Sequence, residues 1–344
     1  MRRLLLFSLL LLGACAVRAQ QTFTNPLLPG GADPWVIYQD GFYYYMHTTG
    51  HTLKIWKTKS IADLKNAESK VVWTPPDTGA YSREIWAPEI HFINRKWYIY
   101  FAADDGSNAH HRLWVLENAS ADPLQGTWTM KGKVADATDQ WAIDGSVFEH
   151  KGKWYIIWSG WEKREQDFEM QNIYIAALKN PWTIEGPRVK VSSPELPWER
   201  IWDNNPKGHP SRPVYVNEGP EVLAHGNKLF LVYSASGCWT NDYKLGMLTA
   251  NANANLLDPK SWTKSPEPVF VQSPENHAYG TGHNSFFKSP SGKEDWILYH
   301  ANPETDQGCG AQRSPRAQRI SWKADGTPDF GIPVATGQAI AIPK

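Results

Sequence analysis

The chain has 344 residues, enough for two average domains or one large all-β unit, and the composition favours the single unit: aromatics make up 13% of residues, with 18 Trp, and charged residues only 20%. Lysine plus arginine and aspartate plus glutamate balance at 35 each, which with the lack of any basic block argues against nucleic acid, whose binding needs phosphate neutralisation. So many rings suit instead a hydroxyl-bearing ligand whose apolar faces stack on Trp and Tyr.

Residues 1–19 read as an export signal, with Arg2-Arg3, the apolar run Leu4 to Leu12, and then small residues. Two processing sites fit. Cleavage after Val17-Arg18-Ala19 leaves a secreted or periplasmic product beginning at Gln20, whereas Leu12-Gly13-Ala14-Cys15 resembles a lipobox and would anchor the product to a membrane through a lipidated Cys15. The soluble product is the preferred reading, with residues 20–344 as one domain; no later run is apolar for long enough to span a bilayer. After either cut Cys238 and Cys309 remain, as a disulfide or as two buried thiols; a nucleophilic thiol is disfavoured because no Cys-His pairing is evident.

Along the mature chain an aromatic-aliphatic run recurs, beginning at Phe42, Trp97, Trp154, Leu229 and Trp296. The period is roughly sixty residues, with insertions. A short strand and a turn such as Gln39-Asp40-Gly41, Asn94-Arg95-Lys96 or His150-Lys151-Gly152-Lys153 precede each run, and the Gly, Asn and Asp there supply the positive φ of tight hairpins. Most runs are followed by a third strand and a Trp-bearing segment. Five units of three to four strands predict an all-β, five-bladed β-propeller, in which radial packing covers the sheet faces and leaves only short edges. Helical periodicity is weak, with one turn expected at Ser60 to Leu64, and Pro194 to Pro213 reads as a long loop inserted in the third or fourth blade.

Ahead of each run stands an ionisable residue: Asp33, Glu89, Asp144, Glu218 and His283. A lone Asp beside Gly or Pro is usually a turn former, but three carboxylates at matching places in a repeat, each opening a strand, point to acid-base work at one end of the propeller channel. Glu89 is equally well read as structural. His283 is read as axial rather than as a packed core histidine, and Glu221 is the rival to Glu218, two or three residues deeper in its strand.

Gly31-Ala32-Asp33-Pro34, Trp86-Ala87-Pro88-Glu89, Ile143-Asp144-Gly145-Ser146 and Glu218-Gly219-Pro220-Glu221, in that order across five blades, resemble glycoside hydrolase family 43, the five-bladed arabinofuranosidases, arabinanases and xylosidases. The runs Gly237 to Tyr243 and Thr281 to Phe287 resemble the subgroup containing exo-acting α-L-arabinofuranosidases. The resemblance implies that Asp33 is the general base, Glu218 the general acid, and Asp144 the residue that orients the acid and raises its pKa by like-charge repulsion. It implies inversion at the anomeric carbon, with acid and base about 6.5–9.5 Å apart to admit water. Trp35 and Trp86 are then expected as apolar walls of the sugar pocket, Glu89 and His283 as substrate contacts, and Arg319 as a donor to a sugar hydroxyl. Trp161 and Trp239 would line outer subsites or pack between blades. No cofactor is required on this reading. Members often hold a calcium ion or a water at the axis beside the histidine matched by His283, and such an ion would be structural or pKa-tuning. The expected partner is arabinan or an arabinoxylan-derived oligosaccharide, with β-xylosidase, endo-arabinanase or a non-hydrolytic sugar-binding propeller as alternatives. The long loops Pro194 to Pro213 and Asn302 to Pro315 would close the cleft into a pocket, favouring exo action.

Overall fold

The computed structural model describes residues 21–163 and 170–344, so the export signal and Cys15 lie outside the described residues. Among the described residues no helix is long and apolar enough to cross a membrane. The strands form five antiparallel blades. The first spans residues 35–73 and the second residues 83–134, with four strands each; the third, residues 142–192, and the fourth, residues 215–264, also have four and are joined by a short parallel pairing of Met170 and Gln171 with Tyr215 and Val216; the fifth, residues 279–319, has three. The loop of residues 193–214 is the connection between the third and fourth blades, and the expected turn at Ser60 to Leu64 is a 3-10 helix, Ile61–Asn66.

The predicted hairpin chemistry is realised in the backbone. Asp40 and Gly41, Asn94 and Arg95, and Lys151 and Gly152 all have positive φ, as a two-residue turn matched to right-handed strand twist requires. The second strand of each blade is the aromatic-aliphatic run, buried on both faces, with Tyr45, Tyr100, Ile157, Val232 and Leu298 all fully enclosed. These residues do not meet in one central core. Hydrophobic clusters lie instead at the five blade junctions, first with second, second with third, and so on to fifth with first. The axis is thereby left to polar side chains.

The ring closes through its ends. Thr22–Thr24 pairs antiparallel with Ala339–Ala341, and the segment that follows runs along the outer strand of the fifth blade: Asn25 exchanges two hydrogen bonds with the backbone of Ala317, Leu27 N donates to Pro315 O, and Gly31 N donates to Arg313 O. The three-stranded blade thus has its edge covered, and Asp33 is delivered beside Arg313.

Candidate active site

At or just before the start of each inner strand a left-handed residue stands at a matching place: Asp33 (φ 57°), Ala87 (41°), Asp144 (54°), Gly219 (53°) and His283 (50°). In the second to fifth blades the ladder register breaks around it. Such a conformation costs non-glycine residues about 1–3 kcal/mol, so surrounding contacts must impose it. For Asp33 these include its own amide, which donates to His300 Nδ1 at 3.1 Å, and Ala32 O, which accepts from Thr48 N at 3.0 Å. Glycine relieves crowding in the fourth blade, where a Cβ on Gly219 would stand 3.2 Å from the His283 ring. A bulge of this kind re-aims side chains, and it corrects the register expected from the sequence. Glu218 stands one residue before the kink, whereas Glu89 stands two residues after its own, in line with Trp35, Ser146, Glu221 and Ser285.

A cavity of about 610 Å³ opens at the kinked end of the channel. Asp33, Asp144 and Glu218 line it together with Trp86, Trp161, Trp239, His283 and Arg313. Trp161 stacks on Trp141, another lining residue, at 4.6 Å and 8°, and Trp86 is backed by His111 at 4.1 Å. Trp35 and Glu89 do not line the cavity. Both belong to the deeper layer, where Trp35 Nε1 donates to Ile90 O at 2.8 Å and Glu89 shares a 3.0 Å hydrogen bond with His91. Arg319 is not at the site either: its side chain is 63% exposed and pairs with Glu294 at 3.3 Å, immediately before the second strand of the fifth blade. The guanidinium at the site is that of Arg313.

Asp33 is held at both oxygens. Arg313 Nη1 lies 3.1 Å from Oδ1, with His283 Nδ1 at 3.3 Å and His300 Nδ1 at 3.6 Å, and Thr48 Oγ1 donates to Oδ2 at 2.6 Å. Burial alone would raise its pKa, but Arg313, the two histidines and the Thr48 hydroxyl outweigh it and keep the carboxyl well below the usual range. Burial also holds His283 and His300 neutral, so at neutral pH the guanidinium supplies the charge. His300 Nδ1 accepts from the Asp33 amide, which leaves its ring proton on Nε2, buried without a protein partner.

Glu218 stands in the opposite environment. Burial pushes its pKa up, the Tyr243 hydroxyl donating to Oε1 at 2.8 Å pulls it down, Asp33 pushes it up again, and the balance is about 7. Tyr243 reaches Glu218 because residue 282 is glycine; a Cβ there would meet the Tyr243 ring at 2.3 Å. Asp144 accepts from Gly219 N at 3.0 Å, so it holds the backbone immediately after Glu218. It too is raised, first by burial and then by Glu218. The sequence reading had Asp144 as the charge that raises Glu218; burial leads instead for both and favours the protonated form of each.

Loops wall the cavity. Pro210 and Arg212 line it from one loop and Cys309 and Arg313 from another; Cys238 and Cys309 form a disulfide with Cα atoms 5.1 Å apart. Thr48, Tyr243, His300 and Arg313 had no individual role in the sequence reading, although Tyr243 and His300 stood inside runs singled out there and Arg313 inside the loop Asn302 to Pro315. Among the described residues no group of three or more His, Cys, Asp or Glu is placed to hold a metal ion. Calcium takes six to eight oxygen ligands, so an ion beside His283 would take most of its ligands from water.

Comparison with known proteins agrees with this geometry. The model of glycosyl hydrolases family 43 matches residues 23–328. An extracellular exo-alpha-(1->5)-L-arabinofuranosidase of Streptomyces avermitilis is 41% identical over 324 residues, covering 92% of this chain and 64% of that protein. Alpha-L-arabinofuranosidase 43 of Humicola insolens is 37% identical, covering 94% and 66%. The chain therefore spans slightly less than two thirds of these curated relatives. The crystal structure of an alpha-L-arabinofuranosidase from Lactobacillus brevis superposes with a TM-score of 0.82 at 35% identity, covering 92% of this chain and 98% of that one.

Proposed function

Because the chain belongs to glycosyl hydrolase family 43, we propose that it is an exported, inverting exo-α-L-arabinofuranosidase that removes terminal L-arabinofuranose from arabinan or from oligosaccharides derived from arabinan or arabinoxylan. In this reading Asp33 takes a proton from water as that water attacks the anomeric carbon. The glycosidic C–O bond breaks on the opposite face, and Glu218 gives its proton to the departing oxygen. One water is consumed, and the products are arabinose of inverted configuration and a shortened chain. Asp144 keeps Glu218 in place through the Gly219 amide. Trp86 and Trp161 offer apolar faces to the sugar, and the three carboxylates supply acid and base without a cofactor.

The observation that supports this most strongly is the pairing, on one cavity, of a carboxylate clamped by a guanidinium with another held in a buried setting. One is ionised at neutral pH and the other, its pKa raised to about 7, still holds its proton on the acid side of neutrality, the division of labour that single displacement demands. The loop walls favour removal of end units over cleavage within a chain. The names of the curated relatives support export; palmitate incorporation at Cys15 would show an anchored product instead.

The test is a product profile on linear arabinan with proton NMR of the first-formed anomer. Free arabinose as the sole early product, with inverted configuration, is expected. Mixed oligomers would indicate endo action, turnover of nitrophenyl xyloside alone a xylosidase, and calorimetric binding without hydrolysis a sugar-binding propeller.

A further inference from the structure

The aim of Arg313 is set by the loop that carries it. Its Nη2 donates to the carbonyl of Cys309 at 2.9 Å and its Nε to the carbonyl of Gly310 at 3.3 Å, which leaves Nη1 directed at Asp33 Oδ1. With Thr48 on the other oxygen, the carboxylate is fixed in orientation, and for a general base geometry comes before pKa. Residues 303–313 are turns and bends with no strand or helix of their own. They are secured to the loop of the fourth blade by the disulfide and by a reciprocal pair between Asn241 and Asp306 at 2.6 and 2.8 Å. Cys309 thus has two duties at one residue: its sulfur is crosslinked to Cys238 and its carbonyl aims the guanidinium.

We propose that the Cys238–Cys309 disulfide is a positioning element of the reaction, which holds Arg313 on Asp33 through the Cys309 carbonyl and so orients the base. The inference rests on Asp33 being the base of the hydrolysis proposed above. A disulfide that served stability alone would alter the melting temperature and leave the turnover of folded protein unchanged.

The experiment compares wild type, Cys238→Ser/Cys309→Ser, Arg313→Ala and the triple variant on nitrophenyl arabinofuranoside, well below every Tm. Loss of the crosslink is expected to lower kcat about ten- to a hundredfold, the scale of a misplaced catalytic group, with KM within about twofold. The triple variant should be no slower than Arg313→Ala, because the disulfide acts through that side chain. An unchanged kcat in folded double variant, or losses that multiply in the triple variant, would overturn the proposal. Should the double variant not fold, folded wild type that has been reduced and alkylated with iodoacetamide provides the same comparison; Cys309 is exposed and within reach of reagent. If that protein also loses its circular dichroism spectrum, the crosslink is structural and the proposal fails. Failure of the substrate assignment is separable: wild type that turns over only nitrophenyl xyloside would sink the arabinofuranosidase reading, and the series would then be run on the xyloside.

Discussion

Two layers of buried carboxylates lie along the propeller axis, one at the backbone kinks and one two residues deeper. The upper layer holds Asp33, Asp144 and Glu218 and opens into the cavity. The lower one holds Glu89 and Glu221, with the Ser146 hydroxyl donating to Glu221 at 2.7 Å and Glu89 bonded to His91. Burial raises both of the lower carboxylates, Glu221 to about 8, and each is as displaced as Glu218 or more so. A perturbed pKa therefore does not separate the two layers. Access to the cavity does, together with the one group in the upper layer whose pKa is displaced downward, Asp33 beside Arg313.

The largest expected effect falls on the upper layer. Asp33→Ala and Glu218→Ala should each lower kcat/KM on arabino-oligosaccharide by about 10²–10⁴, the usual cost of losing a general base or acid. Steady-state kinetics with a second substrate sharpens the assignment. On an aryl arabinofuranoside, whose leaving group needs little protonation, the Glu218→Ala loss should shrink by at least about tenfold while the Asp33→Ala loss stays. Equal losses on both substrates would exchange or abolish the roles.

The pH profile of the wild type comes next. Asp33 is ionised throughout the range above ordinary carboxylate values, so it sets no limb near neutrality. In the proposed mechanism Glu218 must keep its proton, and activity should fall as pH rises through about 7. Tyr243→Phe removes a hydroxyl that favours the charged form of Glu218, so its alkaline limb should move to higher pH while kcat/KM falls less than about tenfold, the weight of one hydrogen bond to a charged group.

The smallest effect on activity is expected in the lower layer. Glu221→Gln should leave kcat/KM within about threefold of wild type and act on stability instead. A carboxylate whose folded pKa is raised binds more protons in the native state than in the unfolded one, so stability is intact below the ordinary glutamate value of 4.5 and is lost as pH rises toward about 8. The Tm of Glu221→Gln, compared with wild type by calorimetry, should improve across that window. A severe loss of activity in this variant would erase the distinction between the layers.

Much of this was legible in the sequence, and what was missed has a common physical cause. Blade count, hairpins and the three site carboxylates follow from local patterns: Asp40-Gly41 can hardly be other than a turn, and Trp154 to Trp158 reads as a strand covered on both faces. Strict alternation along the inner strands, however, puts Trp35 and Glu89 beside Asp33 and Asp144. The left-handed kink breaks that alternation, and neither its presence nor its position can be read from spacing alone. Arg313 was out of reach for a different reason. It meets Asp33 across 280 positions of sequence, in a loop whose path is set by a crosslink left open between disulfide and free thiols, and Arg319, in the adjoining strand, offered a more obvious cation.

The clasp between Thr22–Thr24 and Ala339–Ala341 has a bearing on biogenesis. Loop closure over such a span carries a large entropic cost before its contacts repay it, and blades close in sequence can assemble during synthesis while the first and fifth still lack each other's edge. Asp33 cannot meet Arg313, His283 or His300 until that seam shuts. In a chain still being synthesised Asp33 thus lacks the groups that clamp it, and the site is complete only when the two ends of the ring meet.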